Sequence, residues 1–108
     1  MNRDIFQAIA DPTRREILVQ LAYKKMTPNS VADKFSISRQ AVSKHIKILL
    51  ECNLLNQEKV GREIYYDFNP EKMQDVDKWV EQFRKLWENK FDQLDNLLNN
   101  FNSNKNER

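Results

Sequence analysis

The chain has 108 residues, enough for one domain and too few for two with separate cores. Apolar residues make up 40% of it and fall in periodic segments, which excludes a globally disordered chain. A single cysteine excludes an internal disulfide framework, and the lack of a leader pattern or an apolar run of about 18 residues predicts a cytoplasmic protein without membrane contact.

The formal net charge of +2 points to no partner by itself, but its distribution is uneven. Between Ser38 and Arg62 the cations Arg39, Lys44, Lys47, Lys59 and Arg62 outnumber the anions Glu51 and Glu58, whereas Glu71 to Leu98 carries five cations and seven anions. The middle of the chain is the better candidate for meeting phosphates.

One Gly and three Pro leave little punctuation, so helices should dominate. Asp11-Pro12, Thr27-Pro28 and Asn69-Pro70 each set a capping side chain before a Pro, which suits the first helical position. The first helix is predicted over Arg3 to Ala10, with Ile5, Phe6 and Ile9 at helical spacing, and the second over Pro12 to Ala22, with Ile17, Leu18 and Leu21. Pro28 to Phe35 presents Val31, Ala32 and Phe35 on one face. Ser36-Ile37-Ser38 interrupts, and a further helix over about 39–52 presents Val42, Ile46 and Leu49. Ser38 can cap that helix, and Asn53 stands where a left-handed C-terminal residue is expected.

From about 54 to 69 the period changes to two, with Ile64, Tyr66 and Phe68 on one face, and Gly61-Arg62 is the predicted two-residue turn of a hairpin. Such a hairpin is marginal in water unless its apolar face packs on the helices. The last helix is predicted over about 70–101, with Met73, Val76, Val80, Phe83, Trp87, Phe91, Leu94, Leu98 and Phe101 at spacings of three and four. At roughly 45–50 Å it is longer than the rest of so small a domain can cover, so a second copy of the chain is the economical partner. Residues 102–108 are expected to be a flexible polar tail.

Helix, tight turn, helix and ribbon is the element order of a winged helix-turn-helix, in a mainly α fold with a β-hairpin wing. With Val42, Ile46 and Leu49 facing the core, Arg39, Gln40, Ser43, Lys44 and Lys47 are left on outward faces as donors for base edges and phosphates. Gln40 can pair with an adenine and Arg39 or Lys44 with a guanine, while Ser38, Ser43 and Lys47 suit phosphates. Lys59 and Arg62 flank the ribbon tip beside Gly61.

The strings ADPTRREIL (Ala10 to Leu18), SISRQAVSKHIKIL (Ser36 to Leu49) and GREIYYDF (Gly61 to Phe68), in this order and spacing, resemble the ArsR family of winged-helix repressors over about residues 3 to 100. The resemblance implies a homodimer built from the first and last helices, binding an inverted-repeat operator in double-stranded DNA and repressing genes that often include its own. Ile5, Phe6, Ile9, Val80, Phe83, Trp87, Phe91 and Leu94 are the residues expected at that dimer contact.

Metal-sensing members of the family carry a Cys-x-Cys pair before the turn or His and carboxylate ligands on the last helix. Here the first location reads Met26-Thr27-Pro28-Asn29-Ser30-Val31, and the last helix holds no His. Zinc, arsenic and cadmium sites need several thiolate or imidazole ligands, and the whole chain offers one Cys and one His. The departure points to the metal-independent, SdpR-like branch, with no metal and no other cofactor; the sequence names no inducer.

Competing readings are plainer. His45, beside the Val42 and Ile46 stripe, reads as a half-buried imidazole with its hydrogen bonds satisfied, and Cys52 as a small buried hydrophobe. Trp79 and Trp87 are expected in the dimer contact or against the wing. No Ser/His/Asp or Cys/His grouping and no Gly-rich phosphate loop supports an enzyme. A winged helix that docks other proteins through its last helix is the alternative left open.

Overall fold

The computed structural model describes residues 4–106. Over that span the order is α1 (Ile5–Ala8), α2 (Pro12–Tyr23), α3 (Pro28–Phe35), α4 (Arg39–Glu51), β1 (Leu55–Val60), β2 (Glu63–Phe68), a 3-10 turn (Pro70–Lys72) and α5 (Met73–Asn106). The chain divides into two compact units, one reaching to Val76 and the other beginning at Asp77.

In the first unit the helix starts follow from their caps. Asp11 accepts hydrogen bonds from the backbone N–H groups of Thr13 at 2.8 Å and Arg14 at 3.1 Å. Thr27 accepts from Ser30 at 3.2 Å and Ser38 from Ala41 at 3.1 Å, so each of these helices satisfies at least one of its orphan donors locally. At Asn69 the same device opens the 3-10 turn of Pro70–Lys72, and the α-helix begins only at Met73, three residues later than the Pro suggested.

α1 is a single turn, shorter than the predicted segment, because Asp4 takes the capping position by accepting from Phe6 N–H; Arg3 lies outside the described residues. Its C-terminal carbonyls are met by α2. Arg14 donates from Nε to Ala8 O at 2.7 Å, and Arg15 donates to Ile9 O at 2.8 Å and Ala10 O at 3.1 Å. Two arginines thus do for α1 what a following helical turn would have done.

The core is built from one stripe of each helix. Ile17 and Leu21 of α2, Val31 of α3, Val42 and Leu49 of α4, and Leu54 are fully buried, each stabilising the unit by about 1.5–3 kcal/mol relative to exposure. Ile5 is also a core residue, at 8% exposure, while Phe6 and Ile9 pack half-buried against the same cluster. Ile5, expected at a dimer contact, has little apolar surface left outside its own chain.

Two non-glycine residues hold positive φ, Ser36 at 54° and Asn53 at 59°. Each ends a helix. Asn53 had been expected there; the left-handed residue in the Ser36-Ile37-Ser38 turn had not.

β1 and β2 pair antiparallel with Val60 opposite Glu63, leaving Gly61 and Arg62 as the loop. Gly61 has φ 64°, which a residue with a Cβ adopts only at a cost, although a Cβ there would meet no atom within 4 Å. Tyr66 and Phe68 turn toward the core as the period of two required, but Ile64 is 42% exposed. The ribbon is also fastened sideways. Met26 N–H donates to Tyr66 O at 3.1 Å and Tyr66 N–H to Met26 O at 2.8 Å, an isolated bridge that makes the loop before α3 a third, one-residue strand.

The second unit is helical throughout its described length. Trp79, Phe83, Trp87, Phe91, Leu94, Leu98 and Phe101 lie along it with 49–65% of their surface exposed, and Val80 is half-buried. Trp79 stacks edge-on to Phe83 with ring centroids 4.8 Å apart, and Trp87 to Phe91 at 5.0 Å, contacts one helical turn apart that order the stripe. Arg84 bonds to Glu81 at 2.8 Å and lies 3.4 Å from Asp77, so its guanidinium is held protonated more firmly than usual. The helix runs on through residue 106, past the end expected at about 101, with no Gly or Pro to stop it, and residues 107–108 lie outside the described residues.

Candidate nucleic-acid interface

The amphipathic split of α4 places its polar side chains. Burying Val42, Ile46 and Leu49 fixes the rotation of the helix, and Arg39, Gln40, Ser43, Lys44 and Lys47 are all exposed as a result. Ser38 is exposed too. Its Oγ accepts the capping bond, which leaves its O–H free to donate.

Arg39 does not simply extend into solvent. Its Nη1 donates to Asn29 Oδ1 at 2.5 Å, which ties the first residue of α4 to the first turn of α3. The guanidinium lines a cleft with Thr27, Pro28 and Asn29 of the α3 start and Arg62, Glu63, Ile64 and Tyr66 of the wing. Two arginines distant in sequence therefore face one opening. Lys59, opposite Ile64 in the ribbon register, is exposed near the tip but is not in that cleft.

Sequence reasoning missed Asn29 and Thr27 as parts of this arrangement. The Thr27-Pro28 cap was visible, but the Asn29 contact depends on how α3 packs on α4, which no local pattern reports. Lys25 was likewise missed. It pairs with Glu58 of β1 at 3.4 Å and stands 5.5 Å from the centre of the Tyr65 ring, a second fastening of the wing to the loop after α2.

Around the site the charges are held in particular states. The Asp11 carboxyl lies below its ordinary value of 3.8, first through the hydrogen bond from Arg14 N–H, with further help from Thr13 N–H and from the charges of Arg14 and His45. The Tyr65 phenol is pushed up because its O–H donates to Glu63 at 3.1 Å. His45 is half-buried, but its Nδ1 is buried and has no hydrogen-bond partner, so the expectation of a satisfied imidazole is corrected. The packing of α4 carries the ring to the edge of the core, where no donor or acceptor meets that nitrogen. Cys52 is buried, with Sγ 3.7 Å from Asp4 O, as expected of a packed thiol. Among the described residues no three His, Cys, Asp or Glu side chains gather as a metal-binding group, and no helix is long and apolar enough to cross a membrane.

Residues 3–58 match the family model described as a helix-turn-helix domain. The transcriptional repressor SdpR of Bacillus subtilis is 38% identical over 80 residues, which span 74% of this chain and 89% of SdpR. The arsenical resistance operon repressor of the same organism is 36% identical over 69 residues, 63% of this chain and 66% of that protein. Among solved structures, an ArsR-like transcriptional regulator from Rhodococcus sp. RHA1 superposes with a TM-score of 0.67 at 32% identity, covering 83% of this chain and 85% of that one. The chain belongs to the ArsR family of winged helix-turn-helix regulators. Within this ArsR-family fold, α3 and α4 are the helix-turn-helix, α4 is its second helix and β1–β2 is the wing. The family is one of transcription regulators rather than enzymes.

Proposed function

We propose that this ArsR-family chain is a homodimeric, sequence-specific repressor of the metal-independent, SdpR-like branch, working in the cytoplasm on an inverted-repeat operator. Its own promoter is the first candidate operator. In this reading α4 enters the major groove, where Gln40 and Lys44 read base edges. Ser38, Ser43 and Lys47 hold phosphates, and Lys59 and Arg62 at the wing meet the flanking backbone. The bond to Asn29 turns Arg39 toward the Arg62 cleft, so Arg39 serves the backbone in this reading rather than a guanine.

One observation carries the reading: α4 buries its apolar stripe while exposing an uninterrupted set of donors, and Arg62 of the wing shares a cleft with the first of them. Metal independence is supported by the ligand inventory, since one Cys and one His cannot make the thiolate or imidazole set that a soft-metal sensor requires. Dimer formation is supported by the apolar stripe of α5.

The test is fluorescence anisotropy with DNA from upstream of the chain's own gene. Affinity should fall by about 10³-fold or more between 50 and 200 mM salt if six or more phosphates are met. Arg39→Ala with Lys44→Ala should weaken binding at least about a hundredfold while leaving the circular dichroism spectrum unchanged. Undiminished binding by that variant refutes the role given to α4; a wild-type protein without affinity for DNA favours a protein-docking module instead.

A further inference from the structure

A second basic surface lies apart from α4. Lys24 at the C-terminal cap of α2, Lys25 in the following loop and Lys34 in the last turn of α3 converge on one groove with Tyr23, Ser30 and Tyr65. Tyr23 is 86% exposed, an aromatic ring that serves no packing in its own unit. Lys25 is answered by Glu58 at 3.4 Å, and Glu63 accepts from the Tyr65 hydroxyl at 3.1 Å. Lys24 and Lys34 have no ion pair with any described residue. Their positions at the carbonyl ends of two helices suit a cation but do not neutralise it. The groove therefore keeps positive charge next to exposed aromatic surface.

Its location indicates the occupant. Ser30 follows Asn29, the residue that holds Arg39, and Tyr65 stands between Ile64 and Tyr66, both in the Arg39–Arg62 cleft. The two openings are neighbours in the chain at the start of α3, through Asn29 and Ser30, whereas at strand β2 they lie on opposite faces, because Tyr65 points away from Ile64 and Tyr66. A duplex seated against Arg39 and Arg62 runs on past the bases that α4 reaches, and the lysine groove offers its backbone further positive charge. Lysine ammoniums are flexible point charges with no planar fork, suited to backbone phosphates and poorly suited to reading bases.

We propose that this groove holds the phosphate backbone of duplex DNA lying outside the base-reading half-site, so that the footprint extends past the bases touched by α4. The proposal rests on the DNA-binding reading given above. It assigns Lys24 and Lys34 a sequence-independent task, adding affinity without altering operator preference.

The experiment compares two duplexes, one trimmed to the inverted repeat that α4 would read and the other carrying the same repeat with about ten base pairs, one helical turn, of unrelated sequence at each end. Wild-type protein should bind the longer duplex about tenfold more tightly, with a steeper salt dependence. Lys24→Ala with Lys34→Ala should bind both duplexes alike, match the wild type on the short one, and lose about 0.9 of log–log salt slope for each phosphate contact removed. Both positions are exposed, and thermal denaturation checks that the variant remains folded. A wild type that gains nothing from the flanks overturns the proposal, as does a double variant that keeps the gain or one that weakens equally on both duplexes. If the wild type binds neither duplex, the DNA-binding reading itself fails, a result distinct from equal binding to both.

Discussion

Asp11 shows how much one side chain can be asked to do in a small domain. Its carboxylate caps α2 through two backbone N–H groups and lies 3.8 Å from Arg14, whose Nε in turn holds the last residue of α1. Because folding lowers its pKa below 3.8, the unfolded chain takes up the proton first as pH falls. The cap's contribution is full above the unfolded value and is lost as pH drops through the folded one. Asp11→Ala is expected to destabilise the protein by about 1 kcal/mol at neutral pH, read from urea denaturation. That deficit should shrink progressively below about pH 4; a deficit still constant near pH 2 would mean that the carboxylate charge is irrelevant to the cap.

At the scale of elements, the turn between α3 and α4 carries a conformational cost. Ser36 sits at φ 54° with its backbone N–H bonded to Ala32 O, and Ile37 N–H bonds to the same carbonyl at 3.2 Å, which stops α3 and redirects the chain into α4. A left-handed conformation costs an L-residue about 1–2 kcal/mol, while glycine loses about 0.4–1 kcal/mol of unfolded-state entropy. Ser36→Gly should therefore raise stability by about 0.5–1 kcal/mol, a rise of a few degrees in Tm measured by calorimetry. An unchanged or lowered Tm would show that the Ser36 side chain contributes more than its strain removes. The elements themselves were largely legible in the sequence, because capping pairs such as Thr27-Pro28 and the lone Gly61 are local signals and the apolar spacings of α2 and α4 are regular. What stayed hidden is what packing decides. Nothing local says that Ser36 rather than Ile37 turns left-handed, that Ile5 is spent on the core, that His45 leaves a nitrogen unpartnered, or that Asn29 meets Arg39. The polar face of α4 could be read as soon as its buried face was known, whereas the groove of Lys24 and Lys34 joins separate elements that are adjacent only in the fold.

For the whole molecule, the exposed aromatic stripe of α5 is the largest unexplained expense of apolar surface, with Phe83 50% and Trp87 64% exposed. In the proposed homodimer a second copy would cover that surface. Phe83→Asp with Trp87→Asp should accordingly sediment as a monomer at micromolar concentration where the wild type sediments as a dimer; a monomeric wild type would defeat the homodimer. The bridge between Met26 and Tyr66 has a different consequence for the whole. It pins the ribbon's backbone five residues short of Gly61, so that the hairpin beyond it is a lever with an arm of about 17 Å. A tilt of about 10° at the pin swings the tip by about 3 Å, roughly the length of one hydrogen bond. The fulcrum belongs to the loop that leads into α3, so a shift of this loop would re-aim Arg62 at the ribbon tip.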